Sequence, residues 1–392
     1  MAATAIQDPQ QGRDLDSVGL RMPRLGIDPL LTLAAIGLGV ASLVTLGGLS
    51  HAQMVRQALF LGVGFVLMLV MSRFDYSRLR ELKWGFYVIL IGAILVVIEV
   101  GRSTAGSTRA IGFSSFSFES SEVGKVLLIV FLAAFVVDSS RKTSSRELVA
   151  RVFLLALIPT MLVIVEPDLG SGLVYVSSAF AVLYIAGVHW RHLVAVFALG
   201  VIALALVLVV GPMVGFHTYQ SERLTAFLDP GSLPAKKAAG ALWQQQQSQW
   251  AIGAGGKFGL GAATSQNEIN FVPVNSTDFI FAALAERFGF AGAAAVLSLY
   301  ALIIWRTLRI IAAAKNLFGA LIAAGVVAML LFQVFVNVGV AVDILPDTGV
   351  TLPLLSYGGS SVLTTFLALG LLQSIHAQAR MAAATKGRVL SI

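Results

Sequence analysis

The chain contains no cysteine. Disulfides, thiolate nucleophiles and cysteine-ligated metals or clusters are therefore excluded. Histidine is scarce: there are five, and only His189 and His192 are close, three positions apart with no carboxylate beside them. A metal site there is a weak idea, and an interfacial pair in a loop accounts for them. Charge is sparse too, with Asp, Glu, Lys and Arg making up 12% of the residues. No cleavable leader is evident, because MAATAIQDPQQGRDLDSVGLRMPRLG is polar and long. Residues 1–28 read as a disordered cytoplasmic tail.

What is abundant is apolar sequence. Of 392 residues, 57% are hydrophobic, and the mean hydropathy is +0.86. No soluble domain of this size needs so much apolar surface, so the chain reads as an integral membrane protein. The apolar runs are continuous rather than alternating, which argues against a transmembrane barrel. At about twenty residues per span, the candidates are 29–48, 56–72, 84–100, 123–138, 149–165, 171–188, 193–213, 278–304, 319–342 and 350–375. The expected fold is all-α, with about ten transmembrane helices over 29–376 and a large extracytoplasmic loop, 214–277, between the seventh and eighth. Residues 377–392 read as a second cytoplasmic tail.

Charge placement supports this count. With the N-terminal tail inside, Arg73, Arg78, Arg80, Lys83, Arg141, Lys142, Arg146, Arg151, Arg191, Arg306, Arg309 and Lys315 all fall inside, as do Arg380, Lys386 and Arg388. The net charge of +7 is thereby explained without nucleic acid as a partner. Both termini are expected in the cytoplasm. Arg102 and Arg109 fall outside and need another reason.

Acids and glycines gather in the outer segments, so any chemistry belongs there. Ser121 is placed to cap the fourth span, with Glu122 in its first turn. Glu122 and Lys125 are three apart on one helix face and suit an ion pair; ionisable groups at that depth usually face a cavity or the bundle interior. Glu166-Pro167-Asp168-Leu169-Gly170 reads as a turn, proline ending the fifth span and glycine allowing the bend. It is either a polar turn or a site for a cation or proton. In the long loop, Tyr219-Gln220-Ser221-Glu222-Arg223 leads into a short helix ending at Asp229-Pro230. The glycines of 253–261 are either exposed amides for an anion or part of a flexible loop with a membrane-lying helix. Thr277 is placed to cap the eighth span, which leaves Asp278 either a dipole-favoured cap residue or a general base at the outer rim. Asn337-Val338-Gly339, followed by two prolines, several glycines and several hydroxyls over 345–361, predicts a broken or re-entrant helix lining a cavity.

These stretches resemble the SEDS family (shape, elongation, division and sporulation), which includes RodA, FtsW and SpoVE. The resemblance covers about residues 30–378. It rests on EPDLGSG at 166–172, YQSERLTAFLDP at 219–230, QSQWAIGAGGKFGLG at 247–261, TDFIFAALAE at 277–286 and GVTLPLLSYGGSS at 349–361. The tyrosine-glutamine pair before FLDP looks more like RodA. The sequence departs from the family pattern at Ala110, where tryptophan is usual, at Ser120, where proline is usual, and at Val274, Ser276 and Arg287, where an acid, a histidine and an acid are usual.

The resemblance implies a peptidoglycan glycosyltransferase that polymerises lipid II into glycan strands outside the cytoplasmic membrane of a bacterium. It implies a role in elongation or division, with a class B penicillin-binding protein as transpeptidase partner. It makes Asp278 the catalytic residue and places Glu122, Lys125 and Asp168 at the site. Such a transfer needs a base for the acceptor hydroxyl and positive charge or amide donors for the departing pyrophosphate. Arg109, Lys125, Arg223 and the amides near 253–259 are candidates for the latter, and Ser356 joins the supporting set. A divalent cation, Mg2+ or Mn2+, bridging carboxylate and phosphates would suit the reaction, although no metal-ligating residues stand out. The competing readings are a flippase for the lipid-linked precursor and a non-catalytic scaffold for the transpeptidase. Ionisable residues cluster on the outer half, whereas a flippase needs a polar path through both leaflets.

Overall fold

The computed structural model describes residues 26–100, 102–104, 107–113, 116–140, 142–166, 168–210, 227, 235–261 and 276–389. The helices are α1 (Pro29–Leu49), α2 (His51–Arg73), α3 (Lys83–Val100), α4 (Ser120–Ser139), α5 (Ser145–Val165), α6 (Leu169–Ile185), α7 (Trp190–Val210), α8 (Ala235–Gly255), α9 (Ile280–Ala313), α10 (Leu317–Ala341) and α11 (Gly359–Val389). Eight of these, α1 to α5 and α9 to α11, are long and apolar enough to cross a membrane, and α6 and α7 are shorter apolar helices. These ten match the ten spans read from the sequence, and the chain is a multi-pass membrane protein. The extra helix, α8, lies in the long connection between α7 and α9.

Local chemistry starts the helices where they start. Asp28 caps α1, accepting from the Leu30 and Leu31 amides at 3.0 and 3.1 Å, while Pro29 occupies the first position, where a missing N–H costs nothing. Asp168 caps α6 through Ser171 at 3.0 Å. Asn316 caps α10 through Gly319 at 2.9 Å. The bundle is apolar on both sides. Val63, Val66 and Val70 of α2, Leu154 and Leu157 of α5 and Phe197 of α7 are exposed, as a hydrocarbon solvent permits. Helices α4 and α10 run through the interior, with Leu128, Ile129, Phe131, Leu321, Ile322 and Val326 all buried.

The helices alternate in direction, so the bundle has two distinct ends. One holds residues 102–118, α8 and the start of α9; we call it the loop-bearing end. The other is tied by polar contacts. Arg306 of α9 reaches the buried carboxylate of Asp28, its Nε at 2.7 Å. Gln373 of α11 accepts from the Asp28 amide at 2.6 Å and donates to Thr32 at 3.0 Å. Asp138 of α4 pairs with Arg80 and Lys83. Tyr76, in a short 3-10 helix (Tyr76–Arg80) between α2 and α3, donates to Asn316 at 3.1 Å, and burial pushes its hydroxyl up to about 12.

The structure differs from the sequence reading in two places. Part of the loop ahead of α4 is a three-stranded antiparallel meander, β1 (Arg102–Thr104), β2 (Ser107–Phe113) and β3 (Phe116–Phe118). Its Thr, Ile and Phe residues favour extended backbone, and it is too polar to cross a membrane. The last helix begins at Gly359 rather than 350 and runs to Val389, into the segment read as a tail. Before it, 350–358 is irregular and largely buried, and Leu354 has φ 63°. The segment is irregular and buried as expected, but it carries no helix of its own, and the last helix begins after the break.

Candidate active site

Residues 276–279 form a turn ahead of α9. The cap position is Phe279, without a side-chain cap hydrogen bond, so Thr277 is not the cap and Asp278 precedes the helix. What holds this turn is tertiary. The Ser276 carbonyl accepts from the Tyr357 amide at 2.8 Å. The Thr277 carbonyl accepts from the Ser356 hydroxyl at 2.6 Å. The Asp278 carbonyl accepts from the Asn337 side-chain amide at 2.7 Å. Three successive carbonyls are thus pinned from outside, while Asp278 itself is only half-buried.

The clamp is itself braced. The Ser356 hydroxyl also accepts from the Leu352 amide at 2.8 Å. Gln57 of α2 donates to the Ser356 carbonyl at 3.0 Å and to Ser42 of α1 at 3.2 Å. Ser42 in turn donates to the Leu355 carbonyl at 2.7 Å, and Tyr300 of α9 donates to the Pro353 carbonyl at 2.6 Å. Irregular backbone inside a membrane needs such internal partners.

A second cluster adjoins the first. Lys125 and Glu122 pair at 2.7 Å with side chains only 2% and 6% exposed. The cap of α4 is Glu119, without a side-chain cap hydrogen bond, so Ser121 is not the cap. Instead the Ser360 hydroxyl accepts from the Glu119 amide at 3.1 Å and donates to the Ser117 carbonyl at 2.9 Å, fastening β3 to the start of α11. The Ser121 carbonyl takes a hydrogen bond from Tyr175 at 3.1 Å, and Ser120 contacts Glu166 at 3.3 Å. The two clusters meet at Gly170. A Cβ there would lie 2.8 Å from the Thr348 carbonyl and 2.5 Å from Val350, so glycine serves close packing here rather than the turn expected of it.

The glycine-rich stretch also has a different role. Gly289, with φ 65° and ψ −165°, breaks α9 and strips nearby groups of their intrahelical partners. The turn after α8 supplies replacements. Leu260 and Gly261 donate to the Glu286 and Arg287 carbonyls at 2.9 and 3.2 Å, and Phe290 and Ala291 donate to the Gly256 and Lys257 carbonyls at 2.9 and 3.1 Å. Within 253–259 the Gly256 and Gly259 amides donate to the Gly253 and Gly255 carbonyls at 3.3 and 2.7 Å. Helix α8 is fastened at two further points, Gln245 to the Leu345 carbonyl and Ser248 to the Ala341 carbonyl, each at 2.8 Å. Arg287, where the family pattern has an acid, donates to the Val44 carbonyl at 2.7 Å.

The predicted residues therefore fall into two joined groups, Asp278 with Ser356 and Glu122 with Lys125 and Asp168. Arg109 lies on β2, in the meander that leads through β3 to Ser360, and Arg223 lies outside the described residues. Asn337 stood in the stretch read as lining a cavity but without an assigned role, and Gln57 and Ser42 were not singled out. The available signal was an amide side chain inside an otherwise apolar span. Among the described residues, no three His, Asp or Glu side chains converge to cage a metal ion.

Fold and site together define a polytopic helical membrane protein with an anchored carboxylate at one rim. The family described as "Cell cycle protein" (FtsW, RodA, SpoVE) matches residues 29–381, and the chain belongs to that family. It is 35% identical to the peptidoglycan glycosyltransferase MrdB of Escherichia coli over 91% of this chain and 95% of that one. It is 33% identical to the stage V sporulation protein E of Bacillus subtilis over 83% and 87%. Among solved structures it is similar to a chain from a study of how a peptidoglycan synthase complex coordinates polymerization and crosslinking. The TM-score is 0.77, with 31% identity, over 91% of this chain and 99% of that one. The rod shape determining protein RodA of Thermus thermophilus superposes with TM-score 0.67 and 29% identity, over 90% and 97%.

Proposed function

We propose that this chain is a peptidoglycan glycosyltransferase that polymerises lipid II at the outer face of a bacterial cytoplasmic membrane, with Asp278 as general base. Nearly full-length similarity to proteins that bear the name peptidoglycan glycosyltransferase supports the activity. The observation that carries the residue assignment is the pinned, half-exposed Asp278 turn at the rim of the bundle. A lipid-linked substrate keeps its tail in the bilayer and its sugars outside, so a base at that rim meets the sugars.

In the proposed step a hydroxyl oxygen of the acceptor sugar attacks the anomeric carbon of the donor sugar. The glycosidic C–O bond forms as the bond to the pyrophosphate oxygen breaks. The hydroxyl proton passes to the Asp278 carboxylate, and the lipid pyrophosphate leaves with the bonding electrons. Arg109 and Arg223 are assigned to that leaving charge. Lys125 is committed to Glu122, so we assign the pair, with Asp168, to shaping the starts of α4 and α6 beside the site. The protein offers no cage for a divalent cation among the described residues; Mg2+ or Mn2+ would arrive on the substrate's phosphates.

The orientation we propose has the loop-bearing end outside and both termini in the cytoplasm, following the basic residues. A class B penicillin-binding protein is the proposed partner, within an elongation or division machinery. The test is to purify the chain with a cognate transpeptidase and supply labelled lipid II with Mg2+ or Mn2+. Glycan strands should form, and Asp278→Asn should slow them by roughly 10²-fold or more. No polymer under any partner or metal condition refutes the reading. Lipid II scrambling in liposomes that survives Asp278→Ala would favour a transporter instead.

A further inference from the structure

The Asn337 side chain joins three parts of the fold. Its Nδ2 donates to the Asp278 carbonyl at 2.7 Å and to the Val350 carbonyl at 2.8 Å. Both protons of one amide thus tie α10 to the entry of α9 and to the re-entrant segment. Ser356 and Tyr357 grip the same turn from that segment, so Asn337 anchors it from a separate element, next to the residue that bears the carboxylate.

Its other atom is left unmatched: Asn337 is 1% exposed, and its Oδ1 is buried without a hydrogen-bond partner among the described residues. An apolar residue would spare that acceptor but strand the Asp278 and Val350 carbonyls that Nδ2 satisfies. The flanking residues Val336 and Val338 are apolar. The amide is oriented to deliver two donors, at the expense of its own oxygen.

The carbonyl it holds belongs to Asp278, whose carboxylate is joined to the same Cα through one methylene. A displacement of this backbone that moves the Asp278 Cα carries the carboxylate with it. Misplacing a reacting group by about 1 Å can cost on the order of 10²-fold in rate. We propose that Asn337 is a positioning residue for glycosyl transfer: its two N–H groups fix the backbone of Asp278 and so aim the carboxylate at the acceptor hydroxyl. This rests on the reading of Asp278 as the base.

The test uses the full chain co-purified with its transpeptidase and labelled lipid II, comparing wild type, Asn337→Ala, Asp278→Glu and the double variant. Inactive wild type would fail the polymerase reading itself, and the positioning role with it. With active wild type, Asn337→Ala should lower kcat by about 30-fold or more while KM for lipid II stays within about threefold. In the Asp278→Glu background, where the extra methylene has already displaced the carboxylate, the same change should cost less than about threefold. Its effect on thermal stability should be equal in both backgrounds. A purely structural role predicts that kcat per folded molecule barely moves, or falls equally in both backgrounds, and either result overturns the proposal. If Asn337→Ala does not fold, Asn337→Ser, which retains one hydroxyl donor, carries the same comparison.

Discussion

The Glu122–Lys125 pair lets structural and functional roles be separated by one pair of substitutions. An exposed pair at this spacing would contribute about 0–1 kcal/mol. This one has side chains only 2% and 6% exposed. Lys125→Met keeps the bulk but strands a buried carboxylate, and breaking such a pair costs about 3–5 kcal/mol. The expected loss is therefore about 3–5 kcal/mol. The double variant Glu122→Gln, Lys125→Met removes both charges and should return to within about 1 kcal/mol of wild type. Unfolding by SDS titration in detergent micelles measures wild type, the single variant and the double variant. A single variant as stable as wild type, or a double variant no better than the single, refutes the reasoning. Polymerisation by the double variant then distinguishes the roles: recovery of activity with stability makes the pair a scaffold for α4, whereas restored stability without activity makes the charges part of substrate handling.

Three further substitutions test the remaining architecture. Gly289→Ala places a Cβ against the backbone of Lys257, Phe258 and Gly259 at a φ of 65°, costing about 1–3 kcal/mol in backbone strain alone. Hydrogen exchange at Leu260, Gly261, Phe290 and Ala291 should accelerate while amides around Asp28 do not; unchanged protection would mean that the docked turn does not depend on this kink. At the opposite end, Arg306→Met should destabilise more than Asp28→Asn. The first strands a carboxylate on a side chain with 0% exposure, whereas the second retains a capping oxygen and releases an arginine that is 20% exposed. Unfolding free energies in the reverse order would refute that assignment.

Membrane class and the number of spans were legible in the sequence because the bilayer demands about twenty apolar residues per helix. That rule does not depend on which helices touch. The Glu122–Lys125 pair was legible for a similar reason, since three residues on one helix put both side chains on one face. Asp278 was legible as a position, through the TDF stretch and its place where polar loop meets apolar span. Its surroundings were not. The expected cap at Thr277 was local logic, and the structure replaced it with donors from residues 337, 356 and 357, all at least fifty-nine positions away. The glycines of 253–261 carried two local readings, an anion nest or a flexible loop. Only the broken backbone of α9 made the end of this stretch a docking surface, because the carbonyls that the Leu260 and Gly261 amides satisfy lie at 286 and 287. Periodicity, span length and the identity of the acid belong to the sequence. Which peptide groups pin that acid depends on long-range pairing of polar groups that the bilayer leaves without water, and the tertiary structure alone decided it.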